Sequence, residues 1–252
     1  MNNLNITDNK NYLKEGERLD DLMRDGYKLI QNPGRFCFGM DAVLLTSFVS
    51  IKKGDNVLDL GTGTGVIPIL LSAKTKAAHF DALEIQEESC DMANRSILLN
   101  NLENKISIKK GDIKEASLLY GCGLFDAVTC NPPYMISDNG LINPDAPKAI
   151  ARHEILCTFD DVARESSKLL KNSGKLFLVH RPFRLVEIFA TLTQYNLEPK
   201  RMRLVCPFAG KEPNMVLIEA VKGGGSMMKI EPPLIVYEKT NVYTKEVKDL
   251  YC

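Results

Sequence analysis

Asp59-Leu60-Gly61-Thr62-Gly63-Thr64-Gly65 stands directly after the apolar run Val57-Leu58 and directly before Val66-Ile67-Pro68-Ile69-Leu70-Leu71. A strand, a glycine turn and a helix in that order demand a sharp backbone bend and a close approach to a neighbour or ligand. Glycine does both without a Cβ clash. Pro68 falls in the first helical turn, where its missing N–H costs little, so a helix is expected over residues 65–74. Downstream the alternation repeats. Residues 79–85 read as a second strand, 87–102 as a helix with Cys90, Ala93 and Ile97 at helical spacing, 106–111 as a third strand and 125–130 as a fourth. Asp160 is expected to cap a helix carrying Val162, Ala163, Ser166, Leu169 and Leu170, with Asn172-Ser173-Gly174 as its stop. Residues 175–179 make a fifth strand. Leu185, Ile188, Phe189, Leu192 and Tyr195 mark another helix, and strands near 199–206 and 214–221 close the series. Strands alternating with helices in this way specify an α/β fold built on a largely parallel sheet.

With 252 residues, 44% apolar and 25% charged, the chain has the composition of one ordinary globular domain with short extensions. Residues 1–50 are expected to form an N-terminal extension, with a hairpin around Asn32-Pro33-Gly34 and an apolar helix from Asp41 to Val49 packed on the core. The main domain is expected over 51–223. Gly223-Gly224-Gly225 sets off a tail over 224–252, expected to be an appendage. No apolar stretch is long enough to span a bilayer, and the first residues, Met1-Asn2-Asn3-Leu4-Asn5, have no export-signal character. A cytoplasmic protein is expected. Seven cysteines, an odd number with no C-x-x-C pair, and three histidines without ligand spacing point to free thiols and no metal. The 32 basic and 32 acidic residues cancel, so a nucleic-acid partner would need a local basic face to steer it. Nothing in the composition favours a dimer, and a monomer is expected.

A dinucleotide-binding turn would want glycine at position 66, where Val66 stands. The spacing G-x-G-x-G preceded by Asp59 is the one found in S-adenosylmethionine sites. That cofactor carries an ammonium and a sulfonium in place of a pyrophosphate, so a carboxylate near the loop is useful. Glu84, at the end of the second strand, is placed to accept from both ribose hydroxyls. Asp112, after the third strand, is placed to accept from an adenine amino group. Gly61, Thr62, Gly63, Gly65, Ile85 and Ile113 complete the expected cofactor contacts. Each acidic residue alone would read as a solvated strand end; together they stand where open α/β sheets bind ligands.

The fourth strand ends in Asn131-Pro132-Pro133-Tyr134. A proline-rich turn that merely ends a strand is the plain alternative. The chemistry favours more. An aromatic amine is a poor nucleophile because its lone pair is delocalised into the ring. Two acceptors aimed at its two N–H bonds favour a pyramidal nitrogen with a localised lone pair. The Asn131 side-chain carbonyl and the Pro132 backbone carbonyl supply them in a stiff frame. Tyr134 offers a ring on which an extruded base can stack. Asn131 is also expected to touch the cofactor. No histidine base is required, because the amine becomes strongly acidic only after it has attacked.

On these motifs the chain resembles the bacterial tRNA1(Val) adenine-N6 methyltransferases. The resemblance extends from Gln31-Asn32-Pro33-Gly34-Arg35-Phe36-Cys37-Phe38-Gly39 to Val221, and takes in Phe38-Gly39-Met40-Asp41-Ala42-Val43-Leu44-Leu45 and Ile150-Ala151-Arg152-His153-Glu154. It implies a Rossmann-like class I fold, with helices on both faces of a seven-stranded sheet whose last strand is antiparallel. It also implies S-adenosylmethionine as cofactor and action in the cytoplasm on the adenine 3′ of the anticodon of a valine tRNA. Asp59, Gly61, Glu84, Asp112 and Asn131 match the family's cofactor positions, and Asn131 to Tyr134 its catalytic positions.

Substrate is expected over the carboxyl ends of the fourth and fifth strands. The loop 135–150, rich in Asp, Asn, Pro and Gly, is expected to act as a lid. Arg181 and Arg184, flanking Phe183 in His180-Arg181-Pro182-Phe183-Arg184, are expected phosphate or base contacts, with Arg35, Arg152 and His153 as further candidates. Lys200-Arg201-Met202-Arg203 reads as a solvated face that could join Arg35 in a basic rim. Two rivals remain. The Asn-Pro-Pro-Tyr element also serves enzymes that methylate a glutamine amide in release factors. A non-catalytic cofactor- or RNA-binding protein on the same fold is the other, although a mere binder has no use for paired acceptors.

Overall fold

The computed structural model describes residues 12–35, 37–132 and 157–251. A hairpin of β1 (Arg18–Asp21) and β2 (Lys28–Gln31) leads to helix α1 (Met40–Phe48). The units β3 (Asn56–Leu60), α2 (Val66–Lys74), β4 (His79–Glu84), α3 (Glu87–Leu99), β5 (Ile106–Lys110), α4 (Ala116–Tyr120) and β6 (Phe125–Cys130) follow. Then come α5 (Phe159–Leu169), β7 (Leu170–His180), α6 (Leu185–Gln194), β8 (Leu197–Cys206) and β9 (Met215–Lys222).

The main sheet has the order β10-β8-β9-β7-β6-β3-β4-β5, where β10 is Lys229–Ile235. From β7 to β5 every pairing is parallel. Strand β9 inserts antiparallel between β7 and β8. This is the Rossmann-like α/β sheet that the alternating pattern specifies, with one strand more than the seven expected. Side chains alternate between two cores. Val57 and Phe177 face the cluster under α1 and α2, while Leu58, Leu176 and Leu178 face the one under α5 and α6. Burial on both faces is why the strands read as near-continuous apolar runs.

The extra strand comes from the tail. β10 pairs parallel with β8, from Lys229↔Arg201 to Ile235↔Cys206, with a register shift between Glu231 and Leu234. A short hairpin, β11 (Tyr237–Lys239) and β12 (Val242–Tyr243), and a final helix α7 (Lys245–Asp249) fold back over the α1 side, where Leu234, Val236 and Val247 are buried. This packing redirects the 200–203 run, expected as a solvated face or basic rim. Lys200 Nζ donates to the carbonyls of Gly225, Ser226 and Met227 at 2.9, 3.0 and 2.7 Å. Arg201 pairs with Glu219 and Glu231 and lies over the Phe48 ring, while Arg203 pairs with Glu246 at 2.7 Å. These cations hold the tail down.

Two local expectations shift. The hairpin turns at residues 22–27, where Met23, Asp25 and Gly26 have positive φ and Leu22 N–H donates to the Tyr27 carbonyl. Asn32-Pro33-Gly34 is a turn held by Asn32, with Gly34 N–H donating to its Oδ1 at 2.9 Å, but the chain then enters α1 and no strand returns. The cap of α5 is Thr158 and not Asp160. Thr158 and Asp161 form a reciprocal capping box, which leaves Asp160 inside the first turn, accepting from the Tyr195 hydroxyl at 2.9 Å. β2 docks on α3 because the helix supplies strand-like partners: Ser96 Oγ accepts from Ile30 N–H and Asn100 Oδ1 from Lys28 N–H, both at 2.9 Å.

Candidate active site

Strand order reverses between β3 and β6, and the carboxyl edge at such a switch point is where open α/β sheets bind ligands. The glycine loop leaves β3 there. Gly61 N–H and Thr62 N–H both donate to the Leu83 carbonyl, at 2.9 and 3.0 Å, which folds the loop towards β4. Gly61, Gly63 and Gly65 have φ of 72°, 58° and 85°, the region closed to most side chains. A Cβ on Gly65 would also lie 3.3 Å from the Ala93 Cβ, so this glycine lets α3 approach the start of α2.

Glu84 is 5% exposed. Its Oε2 accepts from Gly63 N–H and its Oε1 from Gln86 N–H, each at 2.9 Å, so the backbone fixes the carboxylate against the loop. Ile85 and Ile113 are half-buried beside it. Ile113 also packs on Gly61, its Cδ1 lying 3.6 Å from where a Cβ would stand. Asp112 caps the 3-10 turn Ile113–Glu115, accepting from Lys114 N–H at 2.9 Å, and Lys114 Nζ lies 3.4 Å from its other oxygen.

Asp59 is 2% exposed. Its Oδ1 accepts from the Thr129 hydroxyl at 2.6 Å, while Oδ2 is buried with no hydrogen-bond partner among the described residues. Burial pushes its carboxyl up to about 7, against the pull of the Thr129 and Thr62 hydroxyls and with help from the negative charge of Glu84. Thr129 was not singled out in the sequence. Only the strand pairing that sets it opposite Asp59 makes it a site residue, and no local pattern in the sequence announces that pairing.

The same pairing sets the other half of the site. Leu60 is level with Cys130, so Gly61 and Asn131 leave adjacent strands side by side at one edge. Asn131 is half-buried and Pro132 buried. Pro133, Tyr134, the loop 135–150, Arg152 and His153 lie outside the described residues. His180, fully buried, is pushed down to about 4 by burial and by Arg184; its Nδ1 accepts from Arg181 N–H at 2.8 Å, and its ring meets Phe159 edge-on.

The remaining basic candidates have partners within the fold. Arg35 pairs with Glu88 at 3.2 Å. Arg181 Nη1 donates to the Asn214 carbonyl at 2.8 Å. Arg184 is buried and forks onto Glu187, Nε donating at 2.9 Å. Among the described residues no group of three His, Cys, Asp or Glu could hold a metal, and no helix is long and apolar enough to cross a membrane.

The donor set suits S-adenosylmethionine. A buried carboxylate with an unpartnered oxygen fits a cationic ligand, and the loop leaves room where a Cβ on Gly63 would meet nothing within 4 Å. Such a sheet, with this glycine turn and acidic residues following successive strands, defines a methyltransferase that uses that cofactor. The chain belongs to the methyltransferase small domain family, whose model matches residues 26–195. It is 32% identical over 186 residues to the tRNA1(Val) (adenine(37)-N6)-methyltransferase of Parabacteroides distasonis, covering 72% of this chain and 75% of that one. The Porphyromonas gingivalis protein of the same name is 29% identical, with 82% and 84% covered. Among solved structures, an Agrobacterium tumefaciens protein described as a predicted O-methyltransferase superposes with a TM-score of 0.67 at 26% identity, covering 84% of this chain and 95% of that one.

Proposed function

We propose that this protein transfers a methyl group from S-adenosylmethionine to the exocyclic N6 of an adenine in tRNA, the adenine 3′ of the anticodon (position 37) of tRNA1(Val). The observation that carries this is the register that sets Asn131 beside Gly61 at the carboxyl edge. The names of the curated relatives support the substrate.

The bound cofactor supplies an electrophilic methyl on a sulfonium. Asp59, Glu84 and Asp112 would hold it, with the Gly61–Gly65 loop closing against it. The Asn131 side-chain carbonyl and the Pro132 carbonyl accept the two N–H bonds of the adenine amine and localise its lone pair. Tyr134 stacks on the base. The spare proton leaves late, once the nitrogen has become acidic, so positioning and electrostatics do most of the work. His180, neutral and buried, is a packing group. Arg35, Arg152, His153, Arg181 and Arg184 are the proposed contacts to RNA, and binding should weaken as salt rises. Residues 51–223 would be the catalytic domain, with 1–50 and 224–252 as its extensions. We take the protein to be a metal-free cytoplasmic monomer; activity surviving a chelator and a solution mass near 28.1 kDa would agree.

Labelled cofactor offered in parallel to bulk tRNA, rRNA, DNA and a release factor tests the substrate. Label in tRNA that digests to N6-methyladenosine is the expected result. Label in the release factor would transfer the assignment to glutamine-amide methylation, and label in nothing would leave a binding protein.

A further inference from the structure

The segment following β7 separates its charges from its apolar groups. Arg181 and Arg184 are both bonded within the fold, as described above, whereas Phe183 is 75% and Val186 86% exposed. Single exposed apolar residues are commonplace on proteins. This pair differs in rigidity and place. Pro182 opens the 3-10 turn Pro182–Arg184, Arg184 N–H closes it on the Arg181 carbonyl at 3.2 Å, and the buried Ile188 anchors the helix that follows. Phe183 in this turn and Val186 in the first turn of the following helix are three residues apart, a spacing that puts both on one helical face. The pair also follows the carboxyl end of β7, the strand paired with β6: Cys130 is level with Leu178, and extending that register would set Pro132 level with His180, three residues before Phe183.

We propose that Phe183, with Val186 behind it, is a stacking platform for an RNA base flanking the adenine that is methylated. The proposal rests on the tRNA reading above and names the residue that engages the neighbouring nucleotide. A base drawn out of its stack leaves its neighbours with an uncovered face, and a preset flat ring covers one at little entropic cost. Arg184 is buried and neutralised by Glu187, whereas Arg181 donates to the neutral Asn214 carbonyl and keeps positive charge beside the ring, which suits a phosphate flanking that base.

The sequence contains no tryptophan, so Phe183→Trp is a single-site reporter in the full chain. Its emission should be quenched by an RNA stem-loop with an unpaired adenine, and not by the same stem-loop made abasic on both sides of that adenine. Phe183→Ala should raise KM for the intact stem-loop about tenfold, with kcat within about twofold, and cost nothing further on the abasic version. Leu118→Ala, which removes an apolar side chain 85% exposed elsewhere on the surface, should change neither constant. Emission from the Phe183→Trp protein that RNA leaves unchanged, quenching by a release factor alone, or equal losses on both RNAs would each overturn the platform. So would a lower melting temperature for Phe183→Ala, because it would mean that the chain's own residues cover the ring. If the unsubstituted protein labels no RNA at all, the tRNA reading fails on that result alone, and the emission titration still decides whether the ring stacks on a base.

Discussion

The two halves of the sheet's carboxyl edge are built by different means. On the β3–β4–β5 side most polar groups are fixed by nearby backbone: Gly63 and Gln86 hold Glu84, Leu83 holds Gly61 and Thr62, and Lys114 N–H holds Asp112, with Asp59, held by the Thr129 hydroxyl, as the exception. On the β6–β7 side Asn131 and Pro132 are placed by strand register, and the cations beyond β7 are tied by their side chains, Arg181 to the Asn214 carbonyl far along the chain and Arg184 to Glu187 nearby. Backbone-held geometry is preset, which suits a cofactor that is the same molecule in every turnover. Side-chain-held geometry leaves a surface that can be re-specified for a particular RNA without disturbing the cofactor site.

If that division is real, the two sides should fail separately. Asn131→Ala removes one of the two acceptors proposed above and should lower kcat by on the order of a hundredfold or more, while calorimetry should show cofactor affinity changed by less than about threefold. Equal activity, or cofactor binding lost along with turnover, would merge the halves. Glu84→Gln is the converse. One charge-assisted acceptor is replaced by an amide that cannot accept from Gly63 and Gln86 on both atoms, so cofactor Kd should rise about ten- to a hundredfold. With cofactor at saturation, kcat should stay within a few-fold of the parent.

The same division explains what could be seen in the sequence. The glycine loop and Asn131-Pro132 were legible because each is contiguous and parallel strands deliver their ends to one edge. Partners on another strand or in the tail were not. Thr129 matters only through its pairing with Asp59. Asp160 read as the cap, and only the geometry of the box between Thr158 and Asp161 moves the cap two residues back. The tail after Gly223-Gly224-Gly225 read as an appendage, yet it supplies β10, which tolerates Pro232 and Pro233 because it is an edge strand with an irregular register there. Without β10, the Lys200–Arg203 run had no visible partners and read as solvated.

Asp59 sharpens the comparison through pH. Its carboxyl stands at about 7 in the fold against an ordinary 3.8, chiefly through burial. Between those values the folded protein keeps a proton that the unfolded chain has lost, so this group takes stability away as pH rises from about 4 to 7. Asp59→Asn should therefore melt higher than the parent at pH 8, by about 2–4 °C for each kcal/mol recovered, and the gain should vanish near pH 4. A cationic ligand favours the carboxylate, so the parent's cofactor affinity should climb as pH rises through 7, by at most about tenfold per unit, and the variant's should stay flat and weak. A variant that binds as tightly as the parent at pH 8 would remove Asp59 from the cofactor side.

The smallest effect concerns the tail. Lys200 Nζ gathers three consecutive carbonyls, Gly225 to Met227, just where the triple glycine would otherwise leave the chain loose before β10. Lys200→Met keeps the stem and removes the donors, which should cost about 1 kcal/mol in urea unfolding because the site is partly solvated. The tail is also anchored by Arg201, by Arg203 and by the burial of Leu234, Val236 and Val247, so it should stay in place. Cofactor Kd should be unchanged, because no contact of Lys200 reaches the β3–β4–β5 side. KM for RNA is the informative constant: β8 ends at Cys206, and the segment from there to Asn214 carries the carbonyl that holds Arg181. A rise in KM of up to about threefold with Kd constant would tie the tail to the substrate half alone, whereas a shift in Kd would show that the halves communicate through the sheet.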